Sequence, residues 1–143
     1  MTYRLMKHQD DEDIPTILSV FRLPSVSQFI SIDEANYWHY VTATDHVYFY
    51  KVFADDLLVA TVHIELADRT LYMAIVVFPE YQRRGMAARI VKDIQEGKPG
   101  FDFDKILVSI DERHLASIRL FENAGFRRVA KDGELLEYEY AKA

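Results

Sequence analysis

The chain contains no cysteine. That excludes a disulfide framework, a thiolate zinc centre and a cysteine nucleophile, and it suits a reducing compartment. No apolar run approaches the roughly 18–20 residues needed to cross a bilayer, so no membrane partner is expected. The N-terminal MTYRLMKHQDDED has no long apolar stretch behind a basic one, so no secretory leader is expected and the location is expected to be cytoplasmic. Basic charge is in deficit as well. Lys and Arg number 17 against 23 Asp and Glu, a formal net charge of −6, which argues against a nucleic-acid partner. The acids among His8–Asp13 lack metal-ligand spacing, so no metal is expected there and the run reads as a solvated turn before a helix. Internal repeats, linkers and low-complexity segments are lacking, and residues 1–143 read as a single domain.

What is present is a globular composition, half hydrophobic and 28% charged. Thr2–Met6 reads as a strand. Pro15 fits the first turn of a helix carrying Ile14, Ile17, Leu18 and Phe21, and Pro24 stops it. Pro24–Phe29 reads as a loop and Ser31–Ala43 as a second helix. Its cluster Asn36, Tyr37, Trp38, His39, Tyr40 is either a packed face with half-exposed rims or one wall of an acceptor pocket. Val47–Ala54, Leu57–Leu66 and a strand from Leu71 are joined by short turns at Asp55-Asp56 and Asp68-Arg69, which makes an antiparallel meander. Thr61, His63 and Glu65 share one face of the middle strand, Val62, Ile64 and Leu66 the other. The polar face is either solvent-facing or available for acid–base work.

Further on, Lys105–Ile110 reads as a strand. Asp111 is expected to cap a helix with the stripe Leu115, Ile118, Phe121, closed by Gly125. Phe126–Ala130 and Leu135–Tyr140 are the last strands. The order β α α β β β α β α β β gives an α+β fold, antiparallel at one end, with a parallel pair around the central helix.

The stretch Leu71–Glu96 carries the chemistry. An apolar strand stops at Pro79, a polar and basic loop follows, and after Gly85 comes an amphipathic helix with Met86, Ile90 and Ile94 on its buried stripe. In QRRGMA, Gln82–Ala87, successive backbone N–H groups and a helix N-terminus suit a diphosphate. Gly85 permits unusual dihedrals, Ala87 is small where a bulky side chain would meet phosphate, and Arg83 and Arg84 add charge at the rim.

This segment, VFPEYQRRGMA, resembles the acetyl-CoA motif of the GNAT superfamily of N-acetyltransferases, Q/R-x-x-G-x-G/A, with Ala87 as the final small residue. A second stretch, SIRLFENAGF from Ser117 to Phe126, resembles that family's A-x-x-L-Y-E-x-x-G-F helix. The resemblance implies a mixed, mostly antiparallel central sheet flanked by helices on both faces. It implies an N-acetyltransferase using acetyl-CoA as co-substrate and no metal. The backbone of Ile75, Val76 and Val77 would meet the pantetheine arm, and Gln82, Arg83, Arg84, Gly85, Met86 and Ala87 would hold the pyrophosphate. A small-molecule or peptide amine would attack the thioester directly.

Two positions depart from the family pattern. His114 stands where an Asn often contacts pantetheine, and Phe121 stands where a Tyr often protonates the departing thiolate. His114 or a neighbouring tyrosine takes over the acid role, or water does, or the domain binds acyl-CoA as a sensory or regulatory module with little turnover. The base is open between Glu65 and His63. The last strand, LLEYEY, either completes its own sheet or pairs with a second copy as a homodimer.

Overall fold

The computed structural model describes residues 1–142. Its strands are β1 (Thr2–Leu5), β2 (Val47–Ala54), β3 (Leu57–Ala67), β4 (Thr70–Val77), β5 (Lys105–Asp111), β6 (Arg127–Asp132) and β7 (Leu135–Ala141). The helices are α1 (Ile14–Phe21), α2 (Pro24–Ser27), α3 (Tyr37–Ala43), α4 (Met86–Gln95) and α5 (Leu115–Asn123). The strands form one sheet in the order β1-β2-β3-β4-β5-β7-β6. β1–β2, β5–β7 and β6–β7 are antiparallel, and β4–β5 is the parallel pair formed around α4. This is the α+β architecture expected from the order of elements.

The two short turns of the meander share one device. Asp55 and Asp56 have φ of 51° and 65°, and Asp68 and Arg69 have φ of 49° and 64°. Left-handed backbone at both central positions matches the twist of the flanking strands, and aspartate tolerates it better than most residues.

Helix boundaries differ from expectation between residues 24 and 36. Pro24 begins α2 where a loop was expected, because proline's fixed φ suits a first helical position. Residues 31–36 are not helical. The Asp33 carboxylate instead accepts from the Ala35 N–H at 3.2 Å and from the Asn36 side-chain amide at 2.7 Å. That local bonding competes with the helix, which starts only at Tyr37.

The chain divides into two compact units. One comprises Met1–His63 and Ile75–Tyr81. Its core gathers Ile17, Phe21, Trp38, Val41, Phe49, Val76 and Phe78, with Tyr37 and Tyr81 packed partly buried against it. Lys51 is buried in the same unit and donates to Asp11 at 2.9 Å and Asp13 at 2.8 Å. Burial alone would lower the Lys51 ammonium, but the two carboxylates outweigh it and hold it above its ordinary value. The acidic run before α1 is therefore pinned to β2 rather than merely solvated.

The second unit comprises Ile64–Ala74 and the chain from Gln82 onward. Leu71, Ile90, Val91 and Ile106 have no exposed surface, and each such side chain contributes about 2 kcal/mol by leaving water. Asp93 on α4 is buried with them and accepts from Arg89 Nε at 3.2 Å, with Lys98 Nζ at 3.8 Å. At the β3–β4 turn Arg69 reaches Asp104 at 3.0 Å and Asp102 at 3.3 Å. No helix among the described residues is long and apolar enough to cross a membrane.

Candidate active site

β4 ends at Val77, and the Phe78 N–H donates to the Val59 carbonyl at 2.8 Å. One 3-10 turn, Pro79–Tyr81, then stops the strand direction before the loop of Gln82–Gly85. Val76 and Val77 have buried side chains and Ile75 is half-buried, so this end of β4 offers a ligand mainly its backbone. The parallel register of β4 with β5 runs from Thr70↔Lys105 to Tyr72↔Leu107, while β4 itself continues to Val77.

Gln82, Arg83, Arg84 and Gly85 are exposed, and Met86 and Ala87 are half-buried. Arg83 has φ +64° and Gly85 φ +76°. These two left-handed residues curl the backbone immediately before α4. The Arg89 N–H donates to the Gly85 carbonyl at 3.0 Å, closing the first helical turn. The N–H groups ahead of Arg89 in that turn have no partner inside the helix, and they carry the positive end of its dipole. No heavy atom lies within 4 Å of where a Cβ on Gly85 would sit, so glycine serves the dihedral here rather than steric room. Ile90, Val91 and Ile94 anchor the helix by their burial.

His114 occupies the N-cap position of α5 and is half-buried. Burial pushes its imidazole below the ordinary value of 6.5, and the Asp111 charge partly offsets this. His114 is therefore mostly neutral near pH 7. Asp111 closes β5 rather than capping α5. Its Oδ1 accepts from the Arg113 N–H at 2.9 Å and from Arg113 Nε at 3.0 Å, and its Oδ2 from the guanidinium at 2.9 Å. Those bonds hold the Asp111 carboxyl down at about 2. Phe121 is buried and meets Phe126 edge-on, ring centroids 5.0 Å apart. One helical residue on, the Glu122 carboxylate accepts from the buried Tyr138 hydroxyl at 3.0 Å.

On β3, His63 and Glu65 are both half-buried. The Tyr37 hydroxyl lies 2.6 Å from His63 Nδ1. Tyr37 and His63 were legible separately, one in the aromatic cluster and one on the polar strand face; nothing in the sequence tied them together. Asp93 and Lys51 were likewise not singled out, since a charged residue betrays its burial only through its partners.

A family model described as the acetyltransferase (GNAT) family matches residues 14–126. Among curated protein sequences none matches the chain. Several solved structures share its fold at low identity. N-acetyltransferase PseH from Campylobacter jejuni, in complex with acetyl coenzyme A, is 8% identical over 99% of this chain and 100% of that one, with a TM-score of 0.77. Spermidine N-acetyltransferase from Vibrio cholerae, in complex with CoA and spermine, is 15% identical over 99% and 95%, with a TM-score of 0.80. A domain from Methanocaldococcus jannaschii is 14% identical over 98% of each chain, with a TM-score of 0.79. The sheet order, the glycine-kinked loop before α4 and the match over residues 14–126 agree, and the chain belongs to the GNAT acetyltransferase family.

Proposed function

We propose that the chain, as one cytoplasmic domain, moves an acetyl group from acetyl-CoA to a primary amine. The observation that carries this is the Gln82–Ala87 loop. Its two left-handed residues and the opening turn of α4 make a backbone cradle of the kind a diphosphate fills. Arg83 and Arg84 are exposed beside it and supply charge. The backbone of Ile75–Val77 takes the pantetheine arm in this scheme, since the valine side chains are committed to the core.

The amine nitrogen, once neutral, attacks the thioester carbonyl and the C–N bond forms. The carbon–sulfur bond then breaks, and the amine proton passes to a base. His63 and Glu65 are the candidates. Phe121 has no proton to give, and burial keeps His114 mostly neutral, so the thiolate takes its proton from water. A thiol of ordinary acidity tolerates that route. A small-molecule or peptide amine is the acceptor class, and the net charge of −6 favours a cationic one. PseH bound to acetyl-CoA and the Vibrio enzyme bound to spermine support the fold's fitness for such chemistry.

A second reading is an acyl-CoA-binding sensory or regulatory module, which the buried, hydroxyl-free Phe121 favours. Two measurements decide. Acetyl-CoA and CoA should both raise the melting temperature in a thermal-shift titration. Thiol release with acetyl-CoA should then follow on adding an amine from a panel of spermidine, an aminoglycoside and a free peptide N-terminus. Stabilisation with no thiol release from any amine favours the module. No stabilisation by either nucleotide thioester or thiol contradicts both readings.

A further inference from the structure

We propose that Tyr37 is a positioning residue that holds His63 as the proton acceptor for the incoming amine. His63 Nδ1–H donates to the Tyr37 oxygen, which leaves Nε2 as the basic nitrogen. The proposal rests on the acetyltransferase reading above and deepens it. The 2.6 Å separation of Tyr37 Oη and His63 Nδ1 is short for a nitrogen–oxygen hydrogen bond.

The phenol is delivered from a fixed frame. Tyr37 is the first residue of α3, and its ring stands edge-on to Trp38 (5.0 Å, 82°) and to Phe49 (5.9 Å, 87°). Both partners are buried in the core, Trp38 at 7% and Phe49 at 1% exposure. A ring so held places its oxygen with little freedom. His63 lies tilted beside two tyrosines of α3, its ring centroid 5.6 Å from Tyr37 and 6.3 Å from Tyr40.

His63 also stands at the right part of the sheet. The bond from the Phe78 N–H to the Val59 carbonyl fixes the β3–β4 register there, so Val76 faces Thr61 across the pair. His63 is two residues beyond Thr61 on the same face, about 7 Å along the strand. That sets His63 about two residues back from Val76 along β4, just short of the Ile75–Val77 backbone proposed to take the thioester arm.

The tautomer matters because a neutral imidazole has one donor and one acceptor nitrogen, and a bond at one sets the state of the other. With Nδ1–H given to the Tyr37 oxygen, Nε2 keeps its lone pair. In the reaction the C–N bond forms, the C–S bond breaks, the amine proton goes to Nε2 and then to water, and the thiolate takes a proton from water. The opposite arrangement, Tyr37 O–H donating to Nδ1, would put the proton on Nε2 and remove the base. Among the titratable groups near His63 are Tyr37 and Tyr40 of α3 and, two residues along its own strand face, Glu65.

Long-range 1H–15N correlation spectra of the 15N-labelled chain at pH 8 read the tautomer directly. The native chain should show His63 protonated at Nδ1. Tyr37→Phe, with an otherwise native spectrum, should shift it to the Nε2-protonated form while acetyl-CoA affinity stays within twofold. A native His63 protonated at Nε2 overturns the proposal, and an Nδ1-protonated ring in Tyr37→Phe overturns the role of Tyr37. His63→Asn keeps a side-chain amide where Nδ1 was but has no base. With whichever panel amine releases thiol fastest, it should lower kcat by about 100-fold and leave the KM for acetyl-CoA unchanged, whereas an unchanged kcat overturns the base. Failure of the underlying reading shows elsewhere, as a native chain that acetyl-CoA does not stabilise.

Discussion

His114 and Asp111 show how much a single neighbour decides at the level of one residue. Burial lowers the His114 imidazole, and the Asp111 carboxylate pulls it part of the way back. Because the folded value lies below the unfolded one, the neutral form is favoured in the fold. The associated stability is present above the ordinary value of 6.5 and is lost as pH falls through the lowered folded value. Asp111→Asn removes the offsetting charge and leaves the Arg113 guanidinium without its Asp111 counter-charge, and both changes act in one direction. The NMR titration midpoint of His114 should fall further, and the variant should lose more stability on acidification below pH 6.5 than the parent does at His114. A midpoint that rises would show that burial is not the dominant cause. The sequence placed His114 and Asp111 near the start of α5, but not their division of labour. Asp111 spends both oxygens on Arg113, and the N-cap position passes to His114.

Among elements, the turns were the most legible and the helix starts the least. The two-residue connections at Asp55-Asp56 and Asp68-Arg69 could only join antiparallel neighbours, and the sheet sets β2, β3 and β4 side by side. What the sequence concealed is that non-glycine residues hold all four left-handed positions. Asp56, at φ 65° and exposed, is a test of that strain. Asp56→Gly relieves the left-handed cost but adds unfolded-state entropy, for a net gain of about 0.5 kcal/mol. The melting temperature followed by circular dichroism should rise by about 2 °C. A fall would mean that the aspartate side chain's own bonding holds the turn. The helix starting at Tyr37 rather than Ser31 escaped periodicity altogether, because Asp33 captures the Ala35 and Asn36 donors in a local turn.

For the whole molecule, the fold was legible from the alternation of strand and helix signals together with one segment, Leu71–Glu96. The strand, Pro-marked stop, Gly85 and amphipathic α4 appear in the structure in that order. The polar strand face was legible as a face, but its partners were not. Period two puts His63 and Glu65 side by side but cannot say that a tyrosine on α3, 26 positions earlier in the chain, reaches His63. Long-range side-chain partners are set by packing, which a single sequence does not display.

The central claim is that the Gln82–Ala87 backbone holds the diphosphate of acetyl-CoA. Ala87 sits in the first turn of α4, where a glutamate favours the free helix through its dipole. Ala87→Glu therefore keeps the fold while placing a carboxylate against the bound anion. Isothermal titration of acetyl-CoA into the native chain and into Ala87→Glu is the direct measurement. The account predicts binding to the native chain and affinity at least about 100-fold weaker in the variant, as like charges meet in a confined site. Equal dissociation constants for the two would contradict it.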